Sequence, residues 1–292
     1  MDTSAVATVV IPTFHRLMTL AEALESLSRQ SEKRFEVIIV NDGGTDVMPV
    51  VACYPELLIK VISFPRNRGH VAARNAAIKQ AVTRYIMLLD DDDLVAPRHM
   101  ELMLEALERE QAQLVYSDAE IFRYEMGELG RQSTTRTPFS FAYDPVLLRS
   151  FLTIIPSGTL YERSVHDKIG LLDEEVANYW DWDFFLRVSA SCKVTRLPVA
   201  STFYAFSGRA SDHQSAQFTP KRGRYLARLC SKHGLGMLKM ENFDTMTRSA
   251  ELAARQAVTR RIWDGSPIYS RYPQSVKSSP HPGLSSLPES DL

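Results

Sequence analysis

Four aspartates, Asp90, Asp91, Asp92 and Asp93, follow one another directly after the apolar run "YIMLL". Ionised carboxylates this close repel one another, and each resists leaving water. A dication gives such a cluster a purpose. Hard oxygen donors suit Mg²⁺ or Mn²⁺, which keep waters and bind through one or two carboxylates plus substrate phosphates. The plainer alternative is a solvated acidic loop that caps the helix beginning near Pro97.

Other stretches carry chemistry less pointedly. "VIIVNDGGTD" puts Asp42 before Gly43 and Gly44, which permit a tight turn. The Asp42 carboxylate can accept N–H groups of a base or sugar, or close an ordinary Asx turn. "RNRGHVAARNAAI" sets Arg66, Arg68 and Arg74 around a glycine and a helix start. A phosphate is favoured there, with a solvated basic face as the alternative. "NYWDWDFFLRV" places Asp181 and Asp183 at a helix start beside Trp180 and Trp182. Acids there complement the helix dipole; aromatic walls also hold a sugar and raise a carboxyl toward useful basicity. His213 sits in the polar loop "SGRASDHQSAQ", and a lone histidine is commonly no ligand at all.

The elements that must position these groups alternate. "ATVVIPTF", "FEVIIVN", "LLIKVISF", "RYIMLL" and "AQLVYSDAEIF" read as strands, several of them continuous apolar runs. "TLAEALESLSRQ" is a helix with Leu20, Leu24 and Leu27 on one face, and Thr19 and Glu22 have capping-box spacing. "HVAARNAAIKQAV" and "PRHMELMLEALERE" are further helices, the second with Met100, Met103, Leu104 and Leu107 on one side. Strands buried on both faces and alternating with helices predict a mostly parallel sheet in an α/β layer fold. Ligands in such sheets bind beyond the carboxyl ends of the strands. "PTFHR", "NDGGTD" and "DDDD" all stand at such ends. The second half is less regular, with "WDWDFFLRVSA" helical and "VTRLPVASTFYAFSG" strand-like.

The 292 residues, 45% hydrophobic and 24% charged, suffice for one substantial core plus a small appendage. A formal net charge of -1 gives no general nucleic-acid footprint. Cys53, Cys192 and Cys230 form neither a zinc pattern nor a disulfide framework, which suits a reducing compartment. The first residues carry Asp2 and no basic stretch, so they read as a strand rather than a signal peptide. No apolar run approaches the ~20 residues of a bilayer span. Residues 219–262 hold ten Lys/Arg against three Asp/Glu, either a solvated helical face or one that rests on an anionic membrane. Residues 266–292, rich in Ser and Pro, read as a flexible tail.

Five segments, "VVIPTFHR", "VIIVNDGGTD", "NRGHVAARNAAI", "YIMLLDDDDLV" and "IGLLDEEVANYWDWDFFLRV", resemble in order and spacing glycosyltransferase family 2, the inverting enzymes of the GT-A fold. The resemblance covers residues 8–211. It implies a Rossmann-like, mostly parallel sheet flanked by helices, with a C-terminal helical appendage. The expected division is a transferase domain over 1–218, with a nucleotide-binding half 1–118 and an acceptor half 119–218. A helical extension over 219–265 and the tail follow. By the same resemblance, Pro12, Thr13, Arg16, Asp42, Arg74, Asp90 and Asp91 serve the nucleotide and donor sugar. Asp92 holds Mn²⁺ or Mg²⁺, with Asp90, Asp93 and His213 as further candidates. Asp181 is the base, with Asp183 as fallback; Trp180 stands where the family has Glu. Ser157, Gly158, Trp180 and Trp182 lie on the acceptor side.

The implied activity is inverting, metal-dependent transfer from a nucleoside diphosphate sugar, a UDP-sugar, to a hydroxyl of a glycan or lipid-linked acceptor in glycan or surface polysaccharide synthesis. The expected location is cytoplasmic, with residues 219–262 available for peripheral contact with the membrane. Two alternatives stay open: a degenerate module that holds nucleotide-sugar without turnover, and a sugar-phosphate nucleotidyltransferase. The latter wants a Gly-rich loop after the first strand, and "PTFHRLMTL" has no glycine. A Rossmann dehydrogenase fails for the same reason.

Overall fold

The structure, a computed structural model, describes residues 4–127, 130–206, 219–246 and 249–272. Its first half is built as alternation predicts. Strand β1 (Ala7–Thr13) leads to helix α1 (Leu17–Ser28) and strand β2 (Phe35–Asn41). The short helix α2 (Met48–Val51), strand β3 (Ile59–Ser63) and helix α3 (His70–Gln80) follow. Strand β4 (Tyr85–Leu88), the two-residue β5 (Leu94–Val95) and helix α4 (His99–Glu110) complete the unit. Strands β2 and β4 flank β1 in parallel, so their carboxyl ends share one edge.

Neighbouring residues on each strand serve opposite faces. Ala7, Val9, Ile11, Val37, Ile39, Tyr85 and Met87 join the core beneath α1, α2 and α4. Val10, Ile38, Val40, Ile86 and Leu88 join the core beneath α3 and the later helices. Two cores, one per face, explain why these runs are apolar without interruption. Pro12, which the sequence suggests as a strand end, lies inside β1. It stands past the last β4 pair, Val10 with Leu88, so on that side it has no ladder to break.

The second half extends the same sheet. A long hairpin, β6 (Leu114–Gly127) and β7 (Gly130–Phe139), precedes β8 (Leu160–Glu162) and the short helix α5 (Val165–Ile169). Then come helix α6 (Trp180–Ser191) and strand β9 (Val194–Ala205). Among the described residues the sheet has ten strands; with β10 (Arg260–Arg261) as the last, they run β10-β9-β6-β8-β4-β1-β2-β3, with β5 on β9 and β7 on β6. Strand β8 is antiparallel to β4 and β6, which makes the sheet mixed.

The C-terminal region is more than a helical appendage. Helix α7 (Pro220–His233) begins with Thr219 capping Arg222 N–H at 3.2 Å and has Pro220 at its first position. Two short helices, α8 (Phe243–Met246) and α9 (Ala250–Ala253), lead to β10 (Arg260–Arg261), which pairs in parallel with β9. Several basic residues here face acids of the body: Arg228 pairs with Glu175, Lys232 with Asp173, Arg255 with Asp144 and Arg261 with Glu120. Among the described residues no helix is long and apolar enough to cross a membrane.

Two local expectations are corrected. The capping box at Thr19 and Glu22 does not form: Thr19 donates to the Arg16 carbonyl, and Glu22 is buried in an ion pair with Arg131. The flexible tail is described only to Tyr272, and that part is anchored. Tyr272 is buried in the core beneath α1, Arg271 pairs with Glu25 and Glu56, and its N–H reaches the Tyr54 hydroxyl at 3.3 Å. A chain ending at residue 265 is expected to lose about 2–3 kcal/mol, chiefly the burial of Tyr272, since half-exposed ion pairs add little. Urea denaturation followed by circular dichroism measures this, and a merely dangling tail gives no change.

Candidate active site

The four aspartates form a turn just past β4, and each has a different environment. Asp93 is fully buried. One carboxyl oxygen accepts from the Ser157 hydroxyl and the other from Ala205 N–H at 3.0 Å. Burial, then the charges of Asp92 and Asp90, push its pKa well above the usual carboxylate range. Asp91 is also buried, and burial with the Asp92 charge raises it to about 7 against the opposing pull of Arg16. Asp92 meets Arg16 Nη1 at 2.6 Å, and Asp90 pairs with the buried Arg74.

The backbone of this turn is gripped as firmly. Ser157 Oγ accepts Asp90 N–H at 3.1 Å while donating to Asp93. Arg131 of β7 donates to the Asp92 carbonyl at 2.7 Å and is held by Glu22 of α1 at 2.5 Å. Its guanidinium lies over Phe122 and Tyr124. Ser157 and Gly158, which the sequence suggests for the acceptor side, thus lie beneath the aspartate turn. Gly158 has φ +78°, and a Cβ there would sit 2.3 Å from Thr202 Oγ1. His99 fixes the same spot, bonded to Ser201 and to the Gly158 carbonyl.

Asp42 is buried just past the end of β2. Its two oxygens accept Arg68 N–H at 2.7 Å and Gly69 N–H at 2.9 Å, which secures the start of α3. Gly43 has φ +76°, and a Cβ would approach the Arg66 backbone to 2.4 Å, so only glycine lets this turn close. A single crevice of about 380 Å³ runs from Pro12, Thr13, Arg16 and Asp42 past Arg74, Asp90, Asp91 and Asp92 to Trp180, Asp181 and Trp182. Eleven of the residues that the sequence proposes for the site thus line one space.

Asp181 stands in the first turn of α6 and lines the same crevice as the aspartate turn. Desolvation raises its pKa from the ordinary 3.8 to about 6, with Trp182 N–H, at 2.8 Å, and Arg74 acting the other way. Asp183 is different. It is fully buried and bound by Arg187 at 2.7 Å, Lys232 at 2.7 Å and His233 at 2.8 Å. It locks α7 to α6 and does not line the crevice, so it is no substitute base. His213 lies outside the described residues. The far wall was invisible to sequence reasoning: Arg222 of α7, Glu241, Asn242 and Met246 close the crevice there. No motif or period marks them.

The aspartate turn suits a divalent cation. Oxygens of Asp90, Asp92 and Asp93 lie within 4.8 Å of one another. Both Asp93 oxygens are engaged inside the protein, which leaves Asp90 and Asp92 as the pair at the crevice. The present partners of those two are guanidinium groups, so positive charge is what they attract.

The family described as Glycosyl transferase family 2 matches residues 8–170. The chain belongs to this family. The transferase is 48% identical over 267 residues to a Bacillus subtilis (strain 168) protein described as uncharacterized glycosyltransferase YwdF, a match covering 91% of this chain and 98% of that one. The Rhizobium meliloti (strain 1021) succinoglycan biosynthesis protein ExoO is 29% identical over 192 residues, 63% of this chain and 55% of that. The crystal structure of S. aureus TarS 1-349 superposes with a TM-score of 0.60 at 18% identity, over 85% of the transferase and 71% of TarS. TarS 1-349 is also known in complex with UDP and with UDP-GlcNAc. The mannosyltransferase PcManGT from Pyrobaculum calidifontis, in complex with GDP-Man and Mn²⁺, superposes at 0.56 with 15% identity, over 81% and 66% of the two chains. The transferase shares the GT-A fold with both.

Replacing Asp183 with Ala leaves Arg187, Lys232 and His233 without this buried partner. The expected loss is about 3–5 kcal/mol in a urea melt. A base at this position would instead show lost turnover with stability near wild type.

Proposed function

We propose that this transferase moves a sugar from a UDP-sugar to an acceptor hydroxyl with inversion at the anomeric carbon, as a step in glycan or surface polysaccharide synthesis. The observation that carries the reading is that Asp181 and the aspartate turn line one crevice. The complexes of TarS with UDP-GlcNAc and of PcManGT with GDP-Man and Mn²⁺ support a nucleotide-sugar donor and a divalent cation. The name of ExoO supports the polysaccharide role.

The uracil lies toward Pro12, Thr13 and Asp42, and the diphosphate between Arg16, Arg74 and the aspartates. Asp90 and Asp92 would hold Mn²⁺ or Mg²⁺, whose charge supports the departing diphosphate. Arg16 and Arg74 supply fixed positive charge at the same place. Asp181 accepts the proton of the acceptor hydroxyl. The acceptor oxygen then forms the new bond to the anomeric carbon, and the bond to the diphosphate oxygen breaks with its electron pair. Attack and departure on opposite faces require the base to come from the opposite wall. The enclosure that raises Asp181 also makes it a better base at neutral pH. The acceptor rests against Tyr179, Trp182 and the wall formed by Arg222, Glu241, Asn242 and Met246.

Calorimetric titration of UDP with and without Mn²⁺ tests the donor site. Wild type is expected to bind in a metal-dependent manner, and Asp92→Ala to bind about tenfold more weakly or worse. UDP binding without transfer from any UDP-sugar would favour the degenerate module.

Asp181→Asn is expected to lower kcat by about 10²–10⁴-fold and to leave UDP affinity within about threefold. In wild type, kcat/KM should rise with pH through about 6, since the base must be ionised. Stability carries the opposite sign. A carboxyl raised above its unfolded value destabilises the fold as it ionises, not at all below the ordinary 3.8 and fully above about 6. Asp181→Asn should therefore gain in Tm relative to wild type between pH 4 and pH 7. An unchanged difference across that range would refute the assignment.

A further inference from the structure

The donor arginine and the base are joined by one side chain that the mechanism leaves unused. Trp180 is buried and immediately precedes Asp181. Its ring lies 4.2 Å from the Arg74 guanidinium carbon. Arg74 is itself buried and donates to His70 Nδ1 at 3.0 Å, to the His70 carbonyl at 3.2 Å and to Asp90. The His70 ring stands edge-on to the same indole at 6.4 Å. Burial and the Arg74 charge push His70 down to about 4, so at neutral pH it is an uncharged acceptor.

A π face attracts a guanidinium without neutralising it and without occupying its N–H groups. The uncharged His70 has the same property of leaving the cation charged. Arg74 thus keeps its positive charge and holds a fixed plane, ion-paired with Asp90. A carboxylate at position 180, where the family resemblance places an acid, would act differently. It would take Arg74 N–H groups and put negative charge next to Asp181.

We propose that Trp180 is a positioning residue for the donor diphosphate, acting through Arg74: its π face holds the buried guanidinium in the crevice without adding an anion beside it. This rests on the nucleotide-sugar reading above. Its consequence is that the indole matters for donor affinity only while Arg74 is present.

The test is a double-mutant cycle on UDP binding, measured calorimetrically with Mn²⁺ present. Trp180→Leu should weaken UDP by about tenfold in the wild-type background. In the Arg74→Gln background the same change should cost less than about twofold, because the contact is already gone. Trp180→Phe, which keeps a π face, should stay within about threefold of wild type, and Trp180→Glu should be weaker than Trp180→Leu. A purely structural tryptophan predicts equal loss in both backgrounds, and that result overturns the proposal. If Trp180→Leu does not fold, the wild-type chain labelled with 5-fluorotryptophan decides. Its three resonances, from Trp180, Trp182 and Trp263, are assigned with Trp180→Phe. UDP should shift the Trp180 signal, and an unmoved signal overturns the proposal. If none of UDP, GDP and dTDP binds wild type, the donor reading falls and this inference with it. Binding with equal losses in both backgrounds sinks this inference alone.

Discussion

Repulsion among four consecutive carboxylates is the constraint to which the rest of the molecule answers. Two unit charges about 4 Å apart at a protein surface cost about 4 kcal/mol, and the turn after β4 contains several such pairs. Each is offset from a different part of the chain. Arg16 comes from the start of α1, Arg74 from α3, Arg131 from the β6–β7 hairpin, Ser157 from the segment before β8, and Ala205 N–H from the end of β9. Asp93 and Asp91 escape part of the repulsion by holding their protons more tightly. Asp90 and Asp92 are those whose counter-charges, Arg74 and Arg16, themselves line the crevice.

A second division appears on α6. Asp181 and Asp183 are two residues apart, so at 100° per residue they leave the helix on nearly opposite sides. Only one can face the crevice. The other meets Arg187, Lys232 and His233 and fastens α7 in place. Because α7 also carries Arg222 into the far wall, the acid that does no chemistry still shapes the space in which the chemistry occurs.

How much of this the sequence discloses follows from the range of each interaction. Strands β1, β2 and β4 were legible because burial on both faces leaves unbroken apolar runs. Asp42, Asp90, Asp92 and Asp181 were legible because their neighbours along the chain are diagnostic. Interactions between distant segments were not. Glu22 had local capping-box spacing, yet its partner Arg131 lies 109 residues away. Ser157 reads as an acceptor-side residue until Asp93 and Asp90 N–H are seen against it. Tyr272 sits in a Ser/Pro-rich stretch with no periodicity, and only the groove beside α1 and Tyr54 explains its burial.

The route of the C-terminal segment has a temporal consequence. It crosses the crevice with α7 and α8, adds β10 beside β9, and ends with Tyr272 in the core on the opposite face of the sheet. The strands of the first half leave the ribosome first, at roughly 5–20 residues per second. They emerge with one crevice wall missing and with an unfilled apolar gap beside α1. Until residue 272 has been synthesised, the half-built domain exposes the surface that other chains can stick to. Newborn copies therefore pass through an interval in which part of the core beside α1 is still uncovered.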